Sequence, residues 1–156
     1  MRKSRAKKRV LLPDPKFNNK KITQFVNNLM LDGKKSVAFT VFYDALEIVD
    51  QKLEEENCVD VWQKAVDNIT PGVEVRSRRI GGATFQIPQP IRDERKVSMA
   101  VKWMIAFARK RNEKTMAQRL AGEIIAAYKE EGASFKKKED THRMAEANKA
   151  FSHFRF

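Results

Sequence analysis

The sequence predicts a mainly α-helical fold: a bundle of about six helices with one protruding β-hairpin and a basic, extended N-terminal arm. Three observations lead to this prediction. Apolar residues recur at helical spacing along most of the chain. One stretch instead alternates apolar and charged residues around a pair of glycines. The first nine residues carry six basic side chains and no acidic one.

We expect one compact domain at residues 16–156, preceded by the arm at residues 1–15. A chain of 156 residues, of which 42% are hydrophobic, can bury a single core. Like charges should keep the arm extended until it meets an anion, and Pro13 and Pro15 exclude a helix after it. A solubilising tail is the alternative role. The basic residues of the arm are Arg2, Lys3, Arg5, Lys7, Lys8 and Arg9.

The helices follow from apolar spacing combined with residues that begin and end helices. Asn57 is a predicted N-cap, Thr115 with Gln118 forms a capping-box pattern, and Gly33 and Gly132 are predicted stops. The last helix is strongly polar, so we expect it to pack by a narrow stripe or to lie against a partner. The predicted helices cover approximately residues 22–30, 38–53, 57–70, 93–109, 115–131 and 134–150.

The hairpin is predicted at about residues 73–88, with Gly81 and Gly82 as a two-residue turn and prolines at its end. This turn pairs Arg78 with Phe85 and places both on one face. Arginines beside an aromatic ring suit single-stranded or looped RNA, because they bind phosphates and stack on bases. Alternatively, Phe85 and Ile87 pack on the helices while the arginines stay solvated. The six residues of the face are Arg76, Arg78, Ile80, Ala83, Phe85 and Ile87.

Charge points to a polyanionic partner, since 32 Lys and Arg face 20 Asp and Glu, for a net charge of +12. Residues 44–60 contain seven acidic side chains and one basic one, and they are predicted to form one acidic flank of the molecule. The rest of the chain is correspondingly more basic. Several basic clusters together make a footprint that suits a folded RNA, provided that they converge on one surface. These clusters are Lys34 and Lys35; Arg92 and Arg95; Arg109, Lys110, Arg111 and Lys114; and Lys136, Lys137 and Lys138.

No pattern in the sequence indicates catalysis, a metal, a cofactor or a small-molecule substrate. The segment 33–36 (GKKS) is similar to the end of a phosphate-binding P-loop, but Asn28 stands where the upstream glycine is required. His142 and His153 match no metal-binding spacing. The lone cysteine, Cys58, favours a reducing cytoplasm, and no apolar run is long enough for a membrane span. We therefore expect a cytoplasmic binding protein that is not an enzyme.

Long segments of the chain resemble the bacterial small-subunit ribosomal protein family S-seven. The resemblance runs in order through nearly the whole sequence, and the hairpin and the last segment are its most specific parts. The matching segments are LPDP at 12–15, LM at 29–30, GKK at 33–35, EVRSRRIGGATFQIP at 74–88, Trp103 with ARKR at 108–111, and HRMAEANKAF at 142–151.

The resemblance implies a structural constituent of the small ribosomal subunit. Members of that family bind the RNA of the subunit head, help to nucleate its assembly, and lie at the subunit interface near the exit-site transfer RNA and the messenger exit path. The arm and the Lys34–Lys35 turn would then bind ribosomal RNA, and Arg76, Arg78, Arg79 and Phe85 would lie near the exit site. A transfer RNA or neighbouring ribosomal protein would contact the C-terminal residues Lys136, Lys137, Lys138, His142 and Arg143.

Two other classes of function remain as alternatives. An architectural DNA-binding protein can also insert a β-ribbon arm into a minor groove, although such arms often carry a proline at the tip, where this chain has Gly81 and Gly82. An interaction protein could turn its acidic flank to a protein and its basic side to anionic lipid.

Overall fold

The computed structural model describes residues 9–53 and 57–154. The arm residues Arg2, Lys3, Arg5, Lys7 and Lys8 therefore lie outside the described residues. The described part is mainly helical, with one antiparallel β-hairpin, which confirms the predicted fold class. Its elements are α1 (Lys20–Leu29), α2 (Lys35–Lys52), α3 (Cys58–Ile69), β1 (Val73–Ile80), β2 (Ala83–Pro90), α4 (Asp93–Arg109), α5 (Met116–Tyr128), α6 (Gly132–Ala147) and a C-terminal 3₁₀ helix (Lys149–Phe154).

The core lies around α5, which packs against α2, α3 and α4. Phe25, Phe42 and Trp62 meet inside it, with ring centroids 5.2–5.6 Å apart. Trp62 stands nearly perpendicular to both phenylalanine rings, the arrangement in which ring edges face ring surfaces. The helical spacing of apolar residues in the sequence therefore marks the faces that are buried here.

Local sequence signals set most of the helix ends. The Asn57 side chain accepts a hydrogen bond from the backbone N–H of Val59, and Thr115 and Gln118 form both bonds of a capping box, as predicted. The predicted stop at Gly33 is wrong in detail. The chain turns away already at Met30, and Gly33, with φ +73°, belongs to the turn that leads into α2.

The hairpin has the predicted register, with Arg76 opposite Ile87, Arg78 opposite Phe85 and Ile80 opposite Ala83. Gly81 and Gly82 have φ +55° and +89°, and a turn with two positive φ angles fits the twist of the two strands. β2 continues through both of its prolines to residue 90. Counted from the turn, the prolines fall at positions whose backbone nitrogen points away from β1, so the ladder loses no donor there.

The C-terminal segment differs from its prediction. α6 covers Gly132–Ala147 instead of 134–150, and a separate 3₁₀ helix follows that contacts β2. The buried carboxylate of Glu123 on α5 accepts hydrogen bonds from the backbone N–H and the hydroxyl of Ser134. It thereby caps the first turn of α6 from a neighbouring helix, which explains the earlier start.

Among residues 9–53 and 57–154, no helix is both long and apolar enough to cross a bilayer. The same residues contain no group of His, Cys, Asp or Glu that could hold a metal ion.

Candidate nucleic-acid interface

The base of the hairpin holds two arginines around one carboxylate. Glu74 on β1 accepts a hydrogen bond of 2.9 Å from Nε of Arg76, and bonds of 3.1 and 2.9 Å from Arg95 on α4. Burial would raise the pKa of Glu74, but hydrogen bonds and charges from Arg95 and Arg76 outweigh it and lower the pKa below its ordinary value. The carboxylate is therefore ionised at neutral pH, and it orders both guanidinium groups.

The middle of the hairpin contacts the C-terminal 3₁₀ helix. The Phe85 ring lies 5.2 Å from that of Phe151 and 6.0 Å from that of Phe154, and Arg78 donates to the Phe154 carbonyl at 3.4 Å. Ile87 is buried, while Arg76 and Arg78 on the same face are exposed. The predicted site residue Arg79 lies on the opposite face and is exposed as well. These contacts match the alternative, in which Phe85 and Ile87 pack inside the protein while the arginines stay solvated, and the binding of RNA by this face remains a prediction.

A pocket of about 300 Å³ lies on the same face of the hairpin. Its lining brings Arg76 and Arg78 together with Gln89, the cross-strand partner of Glu74. Guanidinium and amide donors beside an apolar floor are the groups that bind phosphates and base edges in RNA. The pocket thus joins two of the arginines that the sequence predicted for the hairpin.

A second, larger pocket of about 430 Å³ opens beside the turn between α1 and α2. Lys34 from this turn and Arg109 from the end of α4 both line it, although they are far apart in sequence. Arg109 also donates to the Leu29 carbonyl at 3.1 Å, which satisfies one acceptor at the end of α1. Lys35 lies over the ring of Phe39 at 5.7 Å. The structure therefore brings two predicted basic clusters together at this corner.

Arg111 is held within the protein. It pairs with Glu113 at 2.8 Å and with Glu123 at 3.1 Å, and burial, which would lower its pKa, is outweighed by these acids, which raise it. Its side chain lies against Gly122, where a Cβ atom would come within 3.0 Å of it. The sequence predicts that Arg111 contacts RNA, and this contact remains a prediction. Its neighbours Lys110 and Lys114 are exposed.

Some of the predicted C-terminal site residues bond to other parts of the protein, and others are exposed. Lys138 donates to the Asn68 carbonyl at 2.7 Å, and Nε2 of His142 accepts the backbone N–H of Gly72 at 3.1 Å. Lys138 therefore ties α6 to the end of α3, and His142 ties it to the base of the hairpin. Arg143 stays exposed, 3.9 Å from Asp140, and Lys136 is exposed as well.

Sequence reasoning missed the two acids that organise these clusters, Glu74 and Glu123. Glu74 could have been noticed, because it stands two residues before Arg76 on a strand and so shares its face. Glu123 gave no signal beyond being an acid on the apolar side of a predicted helix.

Arg92, at the start of α4, and Arg9 are exposed, as a cation that meets an outside partner would be.

A helical body with a cationic hairpin and paired guanidinium groups is typical of the class of proteins that bind polyanions. The chain belongs to the family Ribosomal protein S7p/S5e, whose family model matches residues 1–149. The family is one of structural ribosomal proteins and not of enzymes, as the sequence resemblance implies.

Curated relatives support the same family over the whole chain. A protein of Flavobacterium psychrophilum is 66% identical, one of Cytophaga hutchinsonii is 60% identical, and one of Bacteroides fragilis is 59% identical. Each similarity covers 100% of this chain and 100% of the relative. All three relatives are named "Small ribosomal subunit protein uS7".

Proposed function

We propose that this chain is a structural constituent of the small ribosomal subunit that binds the RNA of the subunit head and helps to nucleate head assembly. Within the assembled subunit it lies at the interface, near the exit-site transfer RNA and the path of the messenger, beside neighbouring ribosomal proteins. The protein acts in the cytoplasm, bound to the ribosome. Full-length similarity to relatives named as small-subunit proteins supports this assignment.

One structural observation carries the RNA-binding part of the proposal: the exposed Arg76 and Arg78 line one pocket on the hairpin, and an ordered Arg95 shares a carboxylate with Arg76. Guanidinium groups form bidentate hydrogen bonds to phosphate and stack on bases, so this surface suits irregular RNA. Docking of such cations releases counterions from the nucleic acid, which makes binding depend on salt.

The test is a competition between RNA and DNA for the purified full chain. We expect selective binding to a transcript of the small-subunit head region over duplex DNA of equal length. We also expect the affinity to fall with rising salt, by a slope of about 0.7 per phosphate contacted in single-stranded regions. Equal affinity for duplex DNA would instead favour an architectural DNA-binding protein. Co-sedimentation with small subunits through a salt gradient tests the assembled state.

A further inference from the structure

Glu74 occupies an unusual place for an acid in a surface that faces a polyanion. Its side chain is only 9% exposed, whereas the side chains of its partners, Arg76 and Arg95, are 58% and 54% exposed. The carboxylate therefore lies beneath the two guanidinium groups, and the groups themselves meet solvent. Each of its oxygens serves one arginine, Oε1 for Arg76 and Oε2 for Arg95.

The geometry leaves hydrogen-bond donors for an outside ligand. Arg76 donates to Glu74 from Nε alone, so this bond does not involve either terminal nitrogen of its guanidinium group. Arg95 donates to Glu74 from Nε and Nη2, and these two bonds do not involve Nη1. Two cations around one anion keep a net positive charge, so a second anion is still attracted to the pair.

We propose that Glu74 is a positioning residue: it fixes Arg76 and Arg95 as a preorganised pair that binds a backbone phosphate of the RNA. This inference rests on the proposed function. The free arginine side chains would otherwise lose rotamer freedom on binding, and a carboxylate that already orders them removes part of that cost. Arg76 also lines the 300 Å³ pocket with Arg78, so the phosphate site continues into the hairpin face.

The proposal and simple electrostatics predict opposite changes in RNA affinity when Glu74 is neutralised. Replacing Glu74 with glutamine raises the net charge by one, so a surface that works by charge alone would bind RNA more tightly. If Glu74 positions the arginines, Glu74→Gln weakens binding despite the added charge. We expect a loss of about threefold to tenfold, the size of the cost of ordering one long side chain on binding.

The matched control is Glu47→Gln, which makes the same charge change on α2. Its side chain is 65% exposed and lies 3.6 Å from Lys16, so its removal disturbs little. Affinity for head-region RNA and its salt slope are measured for the wild type and both variants, below their unfolding temperatures. We expect Glu47→Gln to bind as tightly as the wild type or slightly more tightly, and Glu74→Gln to bind more weakly with a flatter slope.

A double-mutant cycle separates positioning from a purely structural tie between β1 and α4. In a chain with Arg76→Lys and Arg95→Lys, the forked donors are gone, and Glu74→Gln should weaken binding no further. An equal loss in both backgrounds overturns the proposal, because Glu74 then acts through the fold. Affinity of Glu74→Gln equal to that of Glu47→Gln overturns it as well.

Two further outcomes are informative. If Glu74→Gln does not fold, Arg95→Lys carries the test, since it keeps the charge and loses only the fork; unchanged RNA binding would overturn the proposal. If the wild type itself shows no preference for RNA, the proposed function fails. Selective wild-type binding without any effect of Glu74→Gln defeats the positioning role alone.

Discussion

At the scale of single residues, Asp14 fixes the segment that leads from the arm into the body. The residue is 1% exposed, and its carboxylate accepts hydrogen bonds from the backbone N–H groups of Lys16 and Phe17 and from the hydroxyl of Tyr43 on α2. The Phe17 and Tyr43 rings meet edge to face. Burial, and then the hydrogen bond and charge of Asp14, raise the pKa of Tyr43 to about 12.

Removing this hydroxyl should therefore destabilise the protein in a way that depends on pH. We expect Tyr43→Phe to lower the free energy of unfolding by about 1–3 kcal/mol at neutral pH, because the buried Asp14 carboxylate loses a partner. The folded state favours the neutral phenol, so its contribution is complete below pH 10 and is lost as pH rises from about 10 towards 12. The variant should lack this part of the alkaline loss.

Urea unfolding at pH 7 and at several values above pH 9 measures both effects. The control is Tyr128→Phe, at the chain's other tyrosine, whose hydroxyl lies 3.4 Å from Nζ of Lys64 at an exposed position. Equal losses for the two variants would show that the contact with Asp14 has no special weight.

Glu123 supports a larger structural prediction. It accepts hydrogen bonds from Ser134 and pairs with Arg111 while its side chain is only 1% exposed. We expect Glu123→Ala to cost about 3 kcal/mol of stability, because it leaves Arg111 without a buried partner and the start of α6 without its cap. Glu113→Ala removes the more exposed partner of the same arginine and should cost clearly less. Thermal unfolding of both variants distinguishes them, and equal costs would contradict the buried role.

At the scale of elements, the C-terminal 3₁₀ helix stabilises the hairpin through three aromatic rings, those of Phe85, Phe151 and Phe154. An isolated two-stranded hairpin is marginal in water, so this contact should decide how often the outer hairpin opens. The Arg78 bond to the Phe154 carbonyl adds a polar contact at the same place.

The double variant Phe151→Ala, Phe154→Ala tests this contact. We expect backbone amides of the hairpin between residues 76 and 87 to exchange hydrogen about tenfold faster, which corresponds to about 1.4 kcal/mol of lost local stability. Amides of α5 in the core should not change. Met144→Ala on α6, which removes an exposed apolar side chain, is the control. Unchanged exchange in the hairpin would show that the 3₁₀ helix merely lies beside it.

The sequence predicts elements here better than it predicts side-chain partners, and the hairpin shows why. A two-glycine turn determines the pairing of every residue that follows it, so Arg78 opposite Phe85 could be derived by counting. The bond from Arg111 to Glu123 depends on how a loop folds back on α5, which no periodicity encodes. Charge density thus predicts a binding surface, but it cannot separate cations that meet solvent from those that stabilise the fold.

At the scale of the whole molecule, α4 separates the two basic groups that the structure assembles. Arg95 lies in its first turn at the hairpin base, and Arg109 is its last residue, in the pocket beside Lys34. A helix rises 1.5 Å per residue, so the two arginine positions lie about 21 Å apart along its axis. On the proposed RNA, cations at this separation would contact different phosphates. Substitutions in the two groups should therefore weaken RNA binding additively.

The arm offers the strongest test of the proposed multi-point binding. Deleting residues 1–9 removes six basic side chains, so the salt slope of RNA binding should fall by up to roughly 4 if each neutralises one phosphate of a single strand. The unfolding temperature should change little, since Asp14 anchors the chain beyond the deletion. An arm of the same composition in scrambled order separates charge from sequence, and its affinity should match the wild type if phosphates are the targets. Unchanged affinity and slope after deletion would mean that the arm contacts no phosphate, and RNA binding would then depend on the two groups at the ends of α4.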